Sequence, residues 1–365
     1  MSVHAPAIIF LTGGTGFLGT QLLHCLLSSN AVKRVVALVR ATSASQGLER
    51  LRHAAVTAGW WKADYETRIE AWVGDLELGK LGLSDSQWAQ LSGTSTVDNV
   101  TAIIHNGAIV NWHMDYDRLR RPNVLATIEL LKLATLSRSS PRFVFVSGGA
   151  IADLDTNPGN TIVAEQLSRS NGYSQSKFVA EAIVRRFISQ LPSSQNRFSV
   201  VKPGMIIGTA DKGVANVDDF VWRVVSTASR LQLSPVDPEE SWVPISEAGF
   251  VALQTVTQIL SDDTSPYVNI ASTFGLSSSD FWEQVNSELN HACEPVPWSA
   301  WVERALEDIN QSGEDHPLWP VNNGAHCGQA ALQCAAKRNH HNSVKALLNR
   351  VDILTKFRMT EWKSY

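Results

Sequence analysis

The segment TGGTGFLG, residues 12–19, is the most specific indication of the fold in this sequence. It follows the apolar run at residues 7–12, which is typical of a strand buried on both faces of a parallel sheet. A helix-patterned apolar stretch comes next, so the glycines lie between a strand and a helix. Gly13 permits a tight turn, Gly16 lets a pyrophosphate approach the helix N-terminus, and Gly19 allows close helix packing. We therefore predict a dinucleotide-binding loop made by Thr12, Gly13, Gly16, Phe17, Leu18 and Gly19.

Strand-like and helix-like patterns alternate from this loop to about residue 210. Such alternation is typical of an α/β protein with a Rossmann-type, doubly wound parallel sheet. We assign residues 1–210 to an NADP(H)-binding domain. Residues 211–365, with 213–260 largely helical, are predicted to form a smaller, mainly helical subdomain for substrate and carrier recognition. The further strands are predicted at 35–39, 69–73, 102–105, 143–146 and 198–201, and the helices at 49–58, from Pro122 onward and at 172–190.

Two arginines near the end of the second predicted strand bear on the choice of cofactor. Arg40 stands where a site for NAD would place Asp or Glu on the ribose hydroxyls, and an arginine there suits a 2′-phosphate. Arg50 is a second candidate, although a solvated helix face explains it equally well. Asp75 is placed to accept a hydrogen bond from the adenine amino group. The cofactor expected from these residues is NADPH.

Small and polar residues at other strand ends complete the predicted cofactor site. Ligands of doubly wound sheets bind at the carboxyl ends of the strands, so residues that end a strand are the candidates. Besides Lys177, they are Leu76, Asn106, Gly107, Ala108, Pro203 and Gly204.

Tyr173 and Lys177 are the candidates for proton transfer. They are four residues apart in a predicted helix, and side chains with this spacing share a helix face. A phenol ionises near pH ~10, whereas a neighbouring ammonium stabilises the phenolate and lowers its pKa. The pair is therefore predicted to deliver a proton to a carbonyl oxygen while hydride arrives from the nicotinamide, with Lys177 also holding the nicotinamide ribose. For the spacing alone, a solvated helix face is the alternative.

Two further polar residues are candidates beside this pair. Ser147 ends a predicted strand, and its hydroxyl is expected to hydrogen-bond the substrate carbonyl oxygen next to Tyr173. We therefore group Ser147, Tyr173 and Lys177 as the catalytic residues. Asn123 is expected either to orient a water or a backbone turn behind Lys177, or to serve only as a structural residue at a helix start.

Composition narrows the classes of function. The chain has 365 residues, of which 44% are hydrophobic and 18% charged, as in a soluble globular protein. A net charge of −4 gives no general attraction to nucleic acid or anionic membrane, and no apolar run is long enough to span a bilayer. The four cysteines lack metal-ligand or disulfide-framework spacing, so we expect reduced thiols, no metal and a cytoplasmic location. The isolated domain is expected to be a monomer.

Taken together, the motifs resemble the extended short-chain dehydrogenase/reductases. A narrower likeness is to the thioester reductase domains of nonribosomal peptide synthetases, polyketide–peptide hybrids and carboxylic acid reductases. The segments on which this likeness rests include TGGTGFLGTQLL, ALVRA, HNGAIVNW, NVLAT and YSQSKFVAE. The likeness is clear from about residue 7 to 210. The resemblance implies that NADPH reduces an acyl or peptidyl thioester, held on the phosphopantetheine arm of a carrier protein, to an aldehyde or further to an alcohol. It also implies that Ser147, Tyr173 and Lys177 form the catalytic group.

Two departures from the family pattern leave alternatives open. Many relatives have Ser-Thr where this chain has Ser147-Gly148, and the threonine hydroxyl is then missing. Either Ser147 or a water molecule takes its role, or the oxyanion contact is weakened. Relatives commonly have Pro-Val-Asp where this chain has Pro244-Ile245-Ser246. Three other functions are compatible with the fold: a reductase or epimerase acting on a free small molecule, a Dieckmann-type release domain without hydride transfer, and a cofactor-sensing regulator. The tyrosine–lysine pair favours a reductase over the last two.

Overall fold

The computed structural model of the chain describes residues 6–96, 98–148, 170–191, 197–210, 212–236, 241–289 and 292–319. The elements of the first half are β1 (Ala7–Thr12), α1 (Phe17–Ser28), β2 (Val32–Val39), α2 (Ala44–Thr57), β3 (Ile69–Val73), α3 (Asp85–Leu91), β4 (Ala102–His105), α4 (Tyr116–Leu119), a π-helical turn (Arg120–Leu125), α5 (Ala126–Leu136), β5 (Arg142–Val146), α6 (Gly172–Ser189) and β6 (Phe198–Lys202). Those of the second half are β7 (Met205–Gly208), α7 (Phe220–Leu231), β8 (Leu233–Val236), β9 (Trp242–Val243), β10 (Ile245–Glu247), α8 (Ala248–Leu260), β11 (Tyr267–Asn269), β12 (Leu276–Ser277), α9 (Ser278–Glu288), β13 (Glu294–Pro297) and α10 (Trp298–Ser312).

Seven parallel strands form the central sheet, in the order β11-β6-β5-β4-β1-β2-β3. The chain runs from β1 through β2 to β3 at one edge, then starts again beside β1 with β4 and continues toward the other edge. This reversal places a crevice at the carboxyl ends of β1 and β4, where doubly wound sheets bind their ligands. The predicted Rossmann-type α/β fold is confirmed.

Burial on both faces of the sheet explains the continuous apolar runs of the sequence. Ile9 and Leu11 of β1 pack on one face, in a core shared with α1 and α8. Ile8 and Phe10 pack on the other face, in a core shared with α5 and α6. A strand covered by helices on both sides needs an apolar side chain at nearly every position, which alternation alone would not give.

The chain returns to the sheet after residue 210. Helix α8 packs against α1, and β11 pairs with β6. The expectation of a largely helical segment at 213–260 is correct for α7 and α8 but wrong for β8, β9 and β10. These three short strands pair with β13, β12 and β7, so the partners of two of them lie far along the chain and leave no local pattern. The domain boundary near residue 210 stays a prediction.

A separate apolar core lies in the second half of the chain. Side chains from α7, α9 and α10 form it, among them Ala228, Trp282 and Trp301. The Nε1 of Trp301 donates to the carbonyl oxygen of Leu233 at 3.0 Å, which joins α10 to β8. This core accounts for part of the segment predicted to form the C-terminal subdomain, whereas α8 and β11 of the same segment pack on the central sheet. Residues 320–365 lie outside the described residues.

Helix α4 continues through the π-helical turn into α5 without a break at Pro122. The prediction that a helix starts at Pro122 is therefore wrong. The helix begins at Tyr116, and the side chain of Asp115 caps it by accepting from the amide of Arg118 at 2.9 Å. A proline lacks an N–H and crowds the preceding turn, and a π-helical turn, with its altered hydrogen bonding, accommodates it inside a helix.

Substitution of Gly19 by alanine is expected to destabilise the protein. A Cβ on Gly19 would lie 1.9 Å from the carbonyl oxygen of Gly13, which is backbone and cannot swing away. We expect Gly19→Ala to lower the free energy of unfolding by about 2 kcal/mol or more, outweighing the better helix propensity of alanine. Urea unfolding measures this, with Gly79→Ala as control because a Cβ there meets nothing within 4 Å. Equal effects of the two substitutions would contradict the packing argument.

Candidate functional site

The glycine loop runs from the end of β1 into the N-terminus of α1. Gly13 has a φ of +74°, and a Cβ there would lie 2.7 Å from the Cα of Gly107, so only glycine fits. Gly16 is the N-cap of α1, and in the described structure no side chain caps this helix and no acidic residue occupies its first turn. The first-turn N–H groups and the positive end of the helix dipole are therefore available to a phosphate. Phe17 and Leu18 form that first turn.

Hydrogen bonds hold the segment after β4 against this loop. Thr12 and His105 are paired in register, with Thr12 Oγ1 2.8 Å from His105 Nδ1. Thr12 Oγ1 also accepts from the amide of Gly107 at 2.8 Å. Asn106 Nδ2 donates to the carbonyl oxygen of Gly13 at 3.3 Å. Of the predicted cofactor residues after β4, Asn106 and Gly107 thus lie against the glycine loop.

Arg40 and Arg50 lie together and exposed at the carboxyl end of β2. The Nη1 of Arg50 donates to the carbonyl oxygen of Arg40. Helix α2 begins beside them at Ser43, whose hydroxyl accepts from the amide of Gln46 at 3.2 Å. The two arginines therefore lie side by side at the turn after β2, the part of the sheet edge at which the adenosine ribose is expected.

Asp75 and Leu76 follow β3 on the same side of the sheet. Asp75 Oδ1 accepts from the amide of Glu77 at 3.0 Å, which fixes the carboxylate at the turn. Leu76 reaches across to Gly107, where its Cδ1 would lie 3.1 Å from an added Cβ. These positions put a carboxylate and an apolar side chain at the sheet edge beside β3, where the adenine is expected.

Pro203 and Gly204 follow β6 at the opposite end of the predicted cofactor site. Gly204 has a φ of +83°, and a Cβ there would lie 2.8 Å from the carbonyl oxygen of Pro244. The amide of Met205 donates to the same oxygen at 2.6 Å, which leads the chain into β7.

Ser246, where relatives commonly have Asp, has a buried Oγ with no hydrogen-bond partner among the described residues.

Lys177 extends from α6 to the carboxyl end of β5. Its Nζ donates to the carbonyl oxygen of Val146 at 2.7 Å and lies 4.4 Å from the centroid of the Phe145 ring. Burial lowers the pKa of Lys177 to about 7, and the charge of Glu181 acts in the opposite direction. A lysine in this state exchanges its proton near neutral pH.

The pKa of Tyr173 is raised to about 12, chiefly by burial and secondly by the charge of Asp219. This corrects the expectation that Lys177 lowers it. The physical reason is that the Lys177 ammonium is itself desolvated and is directed at the carbonyl oxygen of Val146. A phenol with this pKa is fully protonated at neutral pH, which is the state required of a proton donor.

Ser147 does not present a free hydroxyl proton. Its Oγ donates to Oε2 of the fully buried Glu181 at 2.5 Å. The predicted hydrogen bond from Ser147 to a substrate carbonyl would require that contact to break. Sequence reasoning missed Glu181, although it follows Tyr173 and Lys177 at intervals of four residues on the same helix face.

Asn123 connects the π-helical turn to two neighbouring segments. Its Oδ1 accepts from the amide of Ile109 at 2.8 Å, and its Nδ2 donates to the carbonyl oxygen of the same residue at 3.0 Å. Nδ2 also donates to Ser176 Oγ at 2.9 Å, beside Lys177 on α6. Of the two interpretations offered by the sequence, the structure supports orientation of a backbone turn near Lys177.

An aromatic surface lies next to Tyr173. The rings of Trp112 and Tyr173 have centroids 5.9 Å apart, and those of Trp112 and Phe220 are 5.8 Å apart. Trp112 lies in the HNGAIVNW stretch, so its presence was visible in the sequence but its contact with Tyr173 was not. Phe220, at the start of α7, gave no signal because its proximity depends on the fold after residue 210. The surface supplies an apolar wall beside the phenol.

The residues present fit a nicotinamide dinucleotide. Gly13 and Gly16 leave room at an uncapped helix N-terminus, Arg40 and Asp75 lie toward its adenosine end, and Lys177 lies toward the centre of the sheet edge. Within the described ranges, no group of three or more His, Cys, Asp or Glu side chains is placed to hold a metal ion. No helix in the same ranges is long and apolar enough to cross a membrane.

Comparison with known proteins places these features in a family. Residues 11–255 match the model of an NAD-binding family described as "Male sterility protein". The chain is 40% identical over 314 residues to N-benzoylphenylalaninol synthetase apmA of Penicillium brevicompactum. That match covers 86% of this chain but only 13% of the relative, so the chain spans a small part of the relative's length.

Two solved structures resemble this one over nearly its full length. The reductase domain of PhqB from Penicillium fellutanum is 29% identical, with a TM-score of 0.75, over 96% of this chain and 91% of that one. The terminal R domain of the myxalamid PKS-NRPS pathway is 24% identical, with a TM-score of 0.74, over 97% and 91% of the two chains, and it supports the fold alone.

The buried His105 is expected to make the protein sensitive to acid. Burial, and secondly the charge of Lys177, lower its pKa from 6.5 to about 3. Between these two pH values the imidazole is protonated in the unfolded chain and neutral in the folded chain. The stability associated with this group is complete above pH 6.5 and is lost as the pH falls toward 3. Between pH 7 and 5, the loss of unfolding free energy should be about 2 kcal/mol greater in the native protein than in His105→Gln. Urea unfolding at both pH values tests this, and identical losses would contradict it.

Proposed function

Because the chain belongs to the male sterility family of NAD-binding proteins, within the extended short-chain dehydrogenase/reductases that include thioester reductase domains, we propose that it reduces an acyl or peptidyl thioester with NADPH. The thioester is held on the phosphopantetheine arm of a carrier protein or carrier domain, and the product is an aldehyde. The observation that carries the proposal is the position of Tyr173 and Lys177 on one face of α6, at the sheet edge that also holds the glycine loop.

When bound, the nicotinamide cofactor supplies the hydride that adds to the thioester carbonyl carbon. Tyr173 donates the phenolic proton to the carbonyl oxygen, which gives a thiohemiacetal, and its raised pKa keeps that proton in place beforehand. Collapse of the thiohemiacetal breaks the carbon–sulfur bond and releases the aldehyde and the thiol of the arm. Lys177, in the protonated form that predominates below its pKa of about 7, stabilises the phenolate left on Tyr173 and holds the cofactor ribose.

The neighbouring residues have supporting roles in this proposal. Ser147 binds Glu181, so Tyr173 is the hydroxyl that faces the substrate oxygen and Ser147 acts by fixing the Glu181 carboxylate near Lys177. Gly148 supplies no hydroxyl, which leaves the second oxyanion contact to a water molecule. Trp112 covers Tyr173 and limits access of bulk water to the reacting carbonyl.

The other functions compatible with the sequence have less support than thioester reduction. The name of N-benzoylphenylalaninol synthetase denotes an N-acylated amino alcohol, which supports a second reduction of the aldehyde at the same site. A Dieckmann-type release domain or a cofactor sensor needs no proton donor, and the Tyr173–Lys177 arrangement is then unexplained. A reductase of free small molecules uses the same chemistry and differs only in lacking the carrier.

Thioester-dependent oxidation of NADPH is the direct test of the activity. The purified chain, mixed with NADPH and acyl-pantetheine thioesters, is expected to lose absorbance of the reduced nicotinamide and to release aldehyde. Tyr173→Phe should slow this reaction by about 10²–10⁴-fold, because the proton donor is lost while the ring remains. If none of a panel of acyl and aminoacyl thioesters is consumed, or if Tyr173→Phe releases product at the native rate, the proposal is wrong.

Preference for NADPH over NADH is expected to depend on Arg40. Arg40→Ala should raise KM for NADPH by about tenfold, since a charge-assisted contact to the 2′-phosphate is lost, and leave KM for NADH unchanged. Arg52→Ala is the matched control, because Arg52 is exposed on the same helix as Arg50 but pairs with Glu49. An equal rise in KM for NADPH and NADH would show that Arg40 does not bind the 2′-phosphate.

The alkaline limb of the pH–rate profile is expected to depend on the pKa of Lys177 and on the charge of Glu181. Activity should fall as the pH rises through the pKa of Lys177, about 7 in the unliganded protein, because the neutral amine no longer stabilises the Tyr173 phenolate. Glu181→Gln removes the charge that raises this pKa and should move the limb to lower pH by about one unit. A limb that stays in place, measured as kcat/KM for the thioester against pH, would show that Glu181 does not act on Lys177.

A further inference from the structure

Two sets of buried hydrogen bonds, which meet at the backbone carbonyl and the side chain of Asn123, join the glycine loop to the helix that carries Tyr173. The first part runs through His105, whose Nδ1 lies 2.8 Å from Thr12 Oγ1 and whose Nε2 lies 2.9 Å from Thr127 Oγ1. Both hydroxyls are fully buried, and the imidazole is 1% exposed. His105 therefore bridges the end of β1 and the start of α5.

The direction of each proton in this part follows from the other partners of the two hydroxyls. Thr127 Oγ1 donates its single proton to the carbonyl oxygen of Asn123 at 2.7 Å, so it accepts from His105 Nε2. Thr12 Oγ1 accepts from the amide of Gly107 at 2.8 Å and donates to His105 Nδ1. The imidazole is then neutral with its proton on Nε2, the form that burial also favours.

The second part leads from Asn123 to Tyr173. Asn123 Nδ2 donates to Ser176 Oγ at 2.9 Å, and Ser176 Oγ donates to the backbone carbonyl oxygen of Tyr173 at 2.8 Å. Ser176 is fully buried and Asn123 is 2% exposed. With both parts combined, every hydrogen bond from the Gly107 amide to the Tyr173 carbonyl has an assigned direction.

We propose that His105, as the neutral Nε2–H tautomer, is a positioning residue that couples the cofactor loop to the first turn of the catalytic helix through Thr127, Asn123 and Ser176. Cofactor binding presses on the loop at Thr12 and Gly107, and the coupled hydrogen bonds transmit its position to the backbone of Tyr173. Conversely, a break at Thr127, on the far side of His105 from the loop, weakens cofactor binding. The role assigned to Tyr173 rests on the proposed function, whereas the coupling itself is a property of cofactor binding.

Substitutions at Thr127 separate the hydroxyl from the volume of the side chain. Thr127→Val keeps the shape but can neither accept from His105 nor donate to Asn123, and Thr127→Ser keeps the hydroxyl. NADPH affinity is read from nicotinamide fluorescence without any thioester, so absence of reductase activity would not affect the result. Thr255→Val is the matched control, because Thr255 is equally buried on α8 and its Oγ1 makes the same hydrogen bond one helical turn back, to Val251 at 2.8 Å.

Thr127→Val is expected to weaken NADPH binding by about fivefold or more, the effect of one buried hydrogen bond. Thr127→Ser should restore the affinity to within about twofold of the native protein, and Thr255→Val should leave it there as well. The coupling is overturned if Thr127→Val binds NADPH like Thr255→Val, or if Thr127→Ser loses as much affinity as Thr127→Val.

The tautomer of His105 gives a second, independent readout on the native chain. In protein labelled with ¹⁵N-histidine, the signal that disappears in His105→Gln should show a protonated Nε2 and an unprotonated Nδ1 at pH 7. A proton on Nδ1 would reverse both hydrogen bonds of the imidazole and overturn the proposed coupling, even if Thr127→Val should fail to fold.

Discussion

The close approach of two backbone segments at the carboxyl ends of β1 and β4 is the constraint on which the rest of the site depends. A Cβ on Gly13 would lie 2.7 Å from the Cα of Gly107, so neither position leaves room for a side chain. The hydroxyl of Thr12 closes the same contact by accepting from the Gly107 amide. Because the sheet reverses its order here, this contact shapes the floor of the crevice that receives the dinucleotide.

Burial sets the chemistry at the other end of the crevice. It raises the pKa of Tyr173 to about 12 and lowers that of Lys177 to about 7, so the phenol holds its proton and the amine exchanges its proton near neutrality. The carboxylate of Glu181 raises the pKa of Lys177, against the effect of burial, and accepts a hydrogen bond from the hydroxyl of Ser147. The acid–base pair is thus adjusted by desolvation and by one buried carboxylate. Direct lowering of the tyrosine pKa by the lysine is not the dominant effect.

The sequence was sufficient for the fold and for the place of the glycine loop at the end of β1. Continuous apolar runs and glycines at strand ends predict the parallel sheet and the crevice, because both depend on short stretches of chain. The helix start at Pro122 was misplaced because a π-helical turn accommodates the proline. Partners of Ser147, and the approach of Phe220 to Trp112, depend on segments far apart in the chain and leave no local pattern.

The central claim is that this site transfers hydride to a thioester carbonyl with Tyr173 as proton donor. The most direct measurement uses NADPH with deuterium at both C4 positions and an acyl-phosphopantetheine thioester, with the released product identified by mass spectrometry. The account predicts an aldehyde that carries one deuterium at its carbonyl carbon, or an alcohol that carries two. Release of an unlabelled, cyclised product with the NADPH unconsumed would contradict it.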